Sequence, residues 1–209
     1  MPNPEKPAAF AREEIVLASA SAVRARLLRA AGVRLLVDPA HVDETELRAS
    51  FLAEGMGARE IADALAALKA ERISHRHAGL LVLGADQVLD CGGRLFEKPH
   101  DMAEARAQLR ALSGRSHTLV SAVAAAREGA VIWRHVDTAK LLMRTLSPEF
   151  IDGYLAAAGA GVLSSVGAYA LEDLGAQLFS RLEGDYFTVL GLPLLPLLEF
   201  LRTHGILQA

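Results

Sequence analysis

Short apolar runs separated by longer helix-like segments restrict the fold of this chain more than any other feature of its sequence. The runs 15–18 and 80–83 are aliphatic, and 33–37 is aliphatic apart from Arg34. All three are too short for stable helices, which is typical of buried strands. Between them, the segments 21–31 and 58–74 carry apolar side chains at helical spacing. This alternation of strands and helices predicts an α/β protein.

The second half of the chain predicts antiparallel pairing as well. Residues 116–126 and 130–145 are two long strand-like segments joined by a short polar turn, which indicates a β-hairpin. A Gly-rich loop is expected at 159–167, a further strand at 177–182 and a terminal helix at 192–202. We therefore expect a twisted mixed β-sheet flanked by helices.

Several helix boundaries are marked by capping residues. Ser21, Asp101 and Ser147 each precede a helical pattern and are expected as N-caps. The polar and acidic segment 41–54 is predicted to be a loop or a short helix.

The composition is that of a globular protein and excludes several functional classes. The chain has 209 residues, of which 52% are hydrophobic, and its net charge of −3 argues against a general nucleic-acid binder. Its single cysteine, Cys91, cannot form an intrachain disulfide, which fits a reducing compartment. An anionic ligand must therefore be held by a local cluster of cations.

The N-terminal region carries no targeting signal that we recognise. Residues 1–12 contain three prolines and mixed charge and predict a flexible arm, which leaves 13–209 as one domain. The apolar run 15–23 is short for a signal peptide and follows Glu13 and Glu14, where such a peptide has positive charge. We expect a cytoplasmic protein that has neither a membrane nor a nucleic-acid partner.

A first candidate site lies where the first strand meets the first helix. Ser19 and Ser21 stand at a predicted helix N-terminus, with Arg24 and Arg26 in its first turns. The unpaired N–H groups of such an N-terminus, together with hydroxyls and a guanidinium, suit a phosphate. The alternative is a serine N-cap followed by surface arginines.

A second candidate is Asp86, followed by Gln87, at the predicted carboxyl end of the central strand. Ligands of open α/β sheets bind beyond the carboxyl ends of strands, and an aspartate there can hold Mg²⁺ or accept a proton. The alternative is an aspartate that only closes the strand.

Two lysines and an acidic pair complete the set of candidates. Lys98 precedes a proline and is therefore held on an extended backbone, while Lys69 lies at the edge of the apolar face of the 58–74 helix. Each could equally be an ordinary surface lysine. Asp43 and Glu44 would by themselves be taken for a solvated turn. His75 and His77 lack further ligands at metal-binding spacing.

Together these residues resemble the Maf family of nucleoside triphosphate pyrophosphatases over nearly the whole chain, from about Ile15 to Gly205. The resemblance depends on several ordered segments. They are Leu17-Ala18-Ser19-Ala20-Ser21 with Arg24, Val42-Asp43-Glu44, Gly84-Ala85-Asp86-Gln87-Val88, the stretch from Lys98-Pro99 through Leu112-Ser113-Gly114-Arg115 to His117, Gly167-Ala168-Tyr169, Glu183-Gly184-Asp185-Tyr186, and Val189-Leu190-Gly191-Leu192-Pro193-Leu194.

The resemblance implies a Maf/ITPase-like protein with two lobes and a central cleft. It implies hydrolysis of the α–β phosphoanhydride bond of a nucleoside triphosphate, with Mg²⁺ or Mn²⁺ as the divalent metal cofactor. Asp86 would be the proton acceptor and a metal ligand, and Glu44 a second metal ligand. The residues implied in phosphate binding are Ser19, Arg24, Lys69 and Lys98.

The nucleobase is implied to meet Val23, Gln87 and Glu172. Gln87 and Glu172 are typical of the branch that acts on 7-methyl-GTP, whereas the branch for dTTP and UTP tends to have Thr and Gln there. Val23 stands at a position where the 7-methyl-GTP branch has Trp. Two alternatives stay open, namely a dTTP/UTP pyrophosphatase and a nucleotide-binding division regulator without turnover. A nucleotide substrate is the expected partner, and a homodimer is left open.

Overall fold

The computed structural model describes residues 10–209. Residues 1–9 of the predicted arm lie outside the described residues. Residues 10–12 pair with the C-terminal segment, through an antiparallel bridge between Ala11 and Leu207 and a hydrogen bond from the Arg12 amide to the Ile206 carbonyl.

The described chain forms a mixed sheet with helices on its faces. The strands are β1 (Glu14–Leu17), β2 (Arg34–Val37), β3 (Val82–Cys91), β4 (Arg94–Phe96), β5 (Ser116–Arg127), β6 (Ala130–Met143) and β7 (Phe179–Glu183). The helices are α1 (Ala22–Ala30), α2 (Glu44–Ala53), α3 (Ala58–Ser74), α4 (Met102–Leu112), α5 (Pro148–Ala158), α6 (Tyr186–Val189) and α7 (Leu194–Thr203).

The sheet order confirms the predicted mixed α/β fold. Seven strands pair in the order β2-β1-β3-β5-β6-β7, with β4 attached to β3. β1 is parallel to β2 and β3, and the remaining pairs are antiparallel. The predicted hairpin is β5 and β6, which pair along nearly their whole length.

Side-chain oxygens cap the N-termini of several helices. Ser21, Asp101 and Ser147 each accept a hydrogen bond from the backbone amide three residues on, as predicted. The segment 41–54 contains the ten-residue helix α2, which Asp43 caps. The Gly-rich segment predicted as a loop instead contains two 3₁₀ turns, Gly159–Ser164 and Val166–Ala168.

The central strand is longer than predicted, which corrects the position of Asp86. β1 ends at Leu17 opposite Leu83, whereas β3 continues to Cys91. Asp86 and Gln87 therefore lie inside a strand and not at its end. They lie just beyond the carboxyl end of the neighbouring parallel strand, which is where the sheet opens towards a ligand.

Two large apolar clusters pack different helices against the sheet. One cluster joins β1, α1 and α7 around Leu17, Leu28 and Leu201. The other joins α4, α5 and the end of β3 around Leu89, Leu109 and Tyr154. No helix within residues 10–209 is long and apolar enough to cross a membrane.

Helix α3 approaches β3 very closely at Gly84. A Cβ at Gly84 would lie 2.0 Å from the Ala66 carbonyl oxygen and 2.5 Å from the Ala70 amide nitrogen. Both atoms belong to the backbone of α3, so no side-chain movement could relieve the contact. The absence of a side chain at Gly84 therefore sets the distance between Lys69 on the helix and Asp86 on the strand.

We predict that Gly84→Ala lowers the free energy of unfolding by about 3 kcal/mol or more, because the helix must move away from the strand. Gly153→Ala is the matched control, since Gly153 is exposed within α5 and a Cβ there meets nothing within 4 Å. The control should be neutral or stabilise the chain by roughly 0.5–1 kcal/mol. Urea unfolding of both variants measures the difference, and equal effects would contradict this account of the contact.

Candidate active site

The nine site residues that the family resemblance implies all line one cleft of about 620 Å³, whereas the candidates Arg26 and Asp43 do not line it. The nine residues come from separate elements that meet beyond the end of β1. These residues are Ser19, Val23, Arg24, Glu44, Lys69, Asp86, Gln87, Lys98 and Glu172.

Asp86 is held between two cations at the bottom of the cleft. Its carboxylate is buried, with Lys69 Nζ 2.8 Å from Oδ1 and Arg48 Nη2 3.0 Å from Oδ2. Glu44 contacts the same cations, with its Oε1 2.6 Å from Lys69 Nζ and its Oε2 3.4 Å from Arg48 Nη2. These four residues form a closed charge ring of two carboxylates and two cations.

The charge ring depends on the placement of three elements. Glu44 and Arg48 lie one turn apart on α2, Lys69 projects from α3, and Asp86 belongs to β3. Burial by itself would raise the pKa of Glu44, but Lys69 and Arg48 outweigh it and hold this pKa below its ordinary value. Glu44 is therefore an anion at neutral pH.

Arg48 is the site residue that the sequence analysis missed. Its only sequence signal is its position four residues after Glu44, which places both on one helix face if the segment is helical. The sequence predicts a loop or a short helix for this segment, and in a loop the spacing of Glu44 and Arg48 would not bring the two side chains together.

Arg24 connects three parts of the cleft. Its Nε donates to the Gly191 carbonyl at 2.8 Å, and its Nη1 donates to the Ala85 carbonyl at 2.9 Å and to Ser19 Oγ at 3.1 Å. Burial lowers the pKa of Arg24, although a guanidinium remains charged at any physiological pH. Arg24 therefore fixes the cleft wall as well as adding positive charge.

Lys98 faces the same space without a partner of its own. Within residues 10–209 its ammonium group makes no hydrogen bond or ion pair. Burial lowers its pKa, and repulsion from Arg24 adds to the effect. The preceding Glu97 carbonyl accepts a 3.0 Å hydrogen bond from Gln108, which fixes the backbone that carries Lys98.

Gln87 and Glu172, two of the residues proposed to meet the base, make contacts within the protein. Gln87 Nε2 contacts Ser121 Oγ at 3.0 Å and the carbonyls of Thr188 and Val189 at 3.2 and 3.0 Å. Its side-chain nitrogen is therefore engaged with the protein. Glu172 pairs with Arg26, at 3.2 Å.

Tyr169, another residue that lines the cleft, is held in place by a buried histidine. The hydroxyl of Tyr169, which lines the cleft, lies 2.7 Å from Nε2 of the buried His117. Burial lowers the pKa of His117 to about 4, so its ring is neutral at pH 7. His117 therefore supports the wall without adding charge to it.

Comparison with known proteins now identifies the family. Residues 14–204 match the family model described as Maf-like protein. The chain belongs to the Maf family. The resemblance inferred from the sequence motifs is thereby confirmed.

Curated relatives cover nearly the whole chain. A nucleoside triphosphate pyrophosphatase of Paramagnetospirillum magneticum is 54% identical over 91% of this chain and 98% of its own. A 7-methyl-GTP pyrophosphatase of Mesorhizobium japonicum is 51% identical over 92% of this chain and 97% of its own.

Among solved structures, a nucleoside-triphosphatase (dITP/XTP pyrophosphatase) of Mycobacterium abscessus has a TM-score of 0.39 and 20% identity. The aligned region covers 73% of this chain and 97% of the Mycobacterium abscessus chain. A similarity at this level supports no statement about the site.

The residues of this Maf-family cleft fit a divalent cation shared with a ligand. Asp86 and Glu44 are the two carboxylates that meet at its bottom, and no group of three or more His, Cys, Asp or Glu suited to a metal occurs within residues 10–209. Mg²⁺ is typically held by one or two carboxylates together with substrate phosphates and water. The donor set therefore suits that mode and not an all-protein cage.

We predict different consequences for Arg24→Ala and Lys98→Ala. The first removes three hydrogen bonds within the protein and should lower the free energy of unfolding by roughly 1.5–3 kcal/mol. The second removes a cation that has no partner in the described part of the chain and should leave that free energy almost unchanged. Urea unfolding of the two variants measures both values. A loss in Lys98→Ala as large as that in Arg24→Ala would mean that Lys98 is a structural residue.

Proposed function

We propose that this Maf-family enzyme hydrolyses the α–β phosphoanhydride bond of a nucleoside triphosphate and releases a nucleoside monophosphate and pyrophosphate. Its preferred substrate on this proposal is 7-methyl-GTP or a similar modified purine nucleotide. The observation that carries the proposal is the position of Asp86, a buried carboxylate held by Lys69 and Arg48 in a cleft that Arg24 and Lys98 also line. The names of the curated relatives support the same activity.

The cations of the cleft match the charge of the substrate. A triphosphate carries about four negative charges, and a protein of net charge −3 binds it only where cations are concentrated. Lys98 has all three N–H donors available within the described part of the chain, and Arg24 lies beside the Ser19 hydroxyl. On this proposal they hold the phosphates and stabilise negative charge on the pyrophosphate leaving group.

Asp86 is proposed to accept the proton of the attacking water. Each carboxylate oxygen has two acceptor positions, and Lys69 and Arg48 occupy one on each oxygen, so acceptor capacity for a water molecule remains. The two cations also fix the orientation of the carboxylate. A bound Mg²⁺ or Mn²⁺, held by Asp86 and Glu44, would supply Lewis-acid stabilisation of phosphate charge.

The proposed base preference depends on hydrogen-bond acceptors. Because the Gln87 nitrogen is engaged with Ser121, Thr188 and Val189, this side chain offers the base only its carbonyl oxygen. The Glu172 carboxylate is also an acceptor. Guanine presents an N–H and an amino group that match two acceptors, whereas the carbonyls of thymine and uracil would face them unfavourably.

The negative charge of Glu172 favours a cationic base, whereas Val23 offers no aromatic ring to stack on it. The Glu172 carboxylate can balance the positive charge that 7-methylation adds to guanine, and Arg26 balances it when no base is bound. Val23 lacks the ring that would stack on a cationic base, which should broaden selectivity. Two of the curated relatives carry the name 7-methyl-GTP pyrophosphatase.

We predict that Asp86→Asn lowers kcat by about 10²- to 10⁴-fold, because the amide cannot accept the proton of water. The control is Asp90→Asn, on the same strand, whose side chain caps the Gly93 amide outside the cleft. Steady-state pyrophosphate release measures both variants. Hydrolysis by Asp86→Asn within a few-fold of wild type would exclude Asp86 as the base, and a wild type that binds nucleotide without releasing pyrophosphate would favour the regulator alternative.

We further predict that kcat/KM is higher for 7-methyl-GTP than for GTP, and lowest for dTTP and UTP. Glu172→Gln should reduce the advantage of 7-methyl-GTP over GTP by roughly five- to tenfold, since it removes the charge that balances the base. Glu199→Gln, on the exposed side of α7, is the matched control. A wild-type preference for dTTP and UTP would instead support the alternative assignment.

A further inference from the structure

Every oxygen of the two carboxylates in the charge ring already contacts a cation. Lys69 Nζ lies 2.6 Å from Glu44 Oε1 and 2.8 Å from Asp86 Oδ1. Arg48 Nη2 lies 3.4 Å from Glu44 Oε2 and 3.0 Å from Asp86 Oδ2. The carboxylate oxygens proposed to bind a divalent cation therefore already contact Lys69 and Arg48.

The ring carries no net charge, and three of its four side chains are shielded from water, whereas Glu44 is 41% exposed towards the cleft. Its two carboxylates balance its two cations, and the side chains of Arg48, Lys69 and Asp86 are exposed by only 9%, 6% and 3%. A hydrated dication gains little attraction from a neutral site, and it must also displace two charge-assisted hydrogen bonds. Free metal should bind such a site weakly.

Arg48 has a buried donor that the ring does not use. Its Nε is buried and has no hydrogen-bond partner among residues 10–209, and its contact with Glu44 is the longest of the four. A buried guanidinium nitrogen without an acceptor is unfavourable until an acceptor arrives. Phosphate oxygens entering the cleft would supply such acceptors.

We infer that Arg48, together with Lys69, is a resident counter-ion that keeps Asp86 and Glu44 from binding free divalent metal, so that metal binds only with a nucleotide. Phosphate oxygens draw the two cations towards themselves and release carboxylate oxygens for the metal. Nucleotide and metal then strengthen each other's binding by the same factor. This inference rests on the proposed function, because it assumes a phosphate-bearing substrate.

The test is titration of the nucleotide-free protein with Mn²⁺, followed by the electron paramagnetic resonance signal of the free ion. The wild type should bind with a dissociation constant of about 1 mM or weaker. Arg48→Ala should bind Mn²⁺ at least about tenfold more tightly, because it releases carboxylate oxygens and gives the ring one net negative charge. Adding Asp86→Asn to Arg48→Ala should abolish the gain.

Two further variants control for folding and for charge. Arg48→Met keeps the apolar stem of the side chain and should behave as Arg48→Ala does. Arg110→Ala removes an exposed arginine from α4, far from the ring in sequence and outside the residues that line the cleft, and should match the wild type. Circular dichroism melting confirms that each protein is folded at the titration temperature.

The inference is overturned if the wild type binds free Mn²⁺ at micromolar concentration. It is also overturned if neither folded Arg48 variant binds Mn²⁺ more tightly than the wild type and Arg110→Ala. Pyrophosphate release by the same wild-type preparation reports on the proposed function separately, because the Mn²⁺ titration contains no nucleotide.

Discussion

The ion pair between Lys69 and Asp86 is the contact around which the site is arranged. It is 2.8 Å long and joins α3 to the central strand β3. It forms because Gly84 lets the backbone of α3 approach the strand, two residues before Asp86. Buried ion pairs seldom add net stability, since desolvation offsets their attraction. The position of this pair at the bottom of a cleft therefore points to chemistry and not to fold stability.

The sequence predicts much of this arrangement because its strands, caps and cations have local signals. The Ser19 and Arg24 segment follows directly from a short strand and a helix start. The length of β3 could not be predicted, because Asp86 and Gln87 interrupt its apolar run and are kept in the strand by pairing with Ala122 and Ser121 of β5. Their side chains contact α2, α3 and the segment around Thr188, and no local pattern connects these elements.

The contact between Arg48 and Asp86 also could not be predicted from the sequence. Whether its side chain reaches Asp86 depends on how α2 lies across the cleft, and that is decided by tertiary packing. For Arg24, the sequence position already indicates an anion-binding group. The structure adds its hydrogen bonds to the carbonyls of Gly191 and Ala85. A cation in this cleft can thus bind phosphate, position a carboxylate or support the wall, and only the three-dimensional contacts separate these roles.

The most direct test of the central claim is the identity of the products when the wild-type protein is incubated with 7-methyl-GTP or GTP and Mg²⁺. Phosphorus-31 NMR distinguishes pyrophosphate, inorganic phosphate, nucleoside diphosphate and nucleoside monophosphate in one spectrum. Cleavage of the α–β bond predicts nucleoside monophosphate and pyrophosphate in equal amounts from the first turnovers. Release of inorganic phosphate with a nucleoside diphosphate would contradict the account.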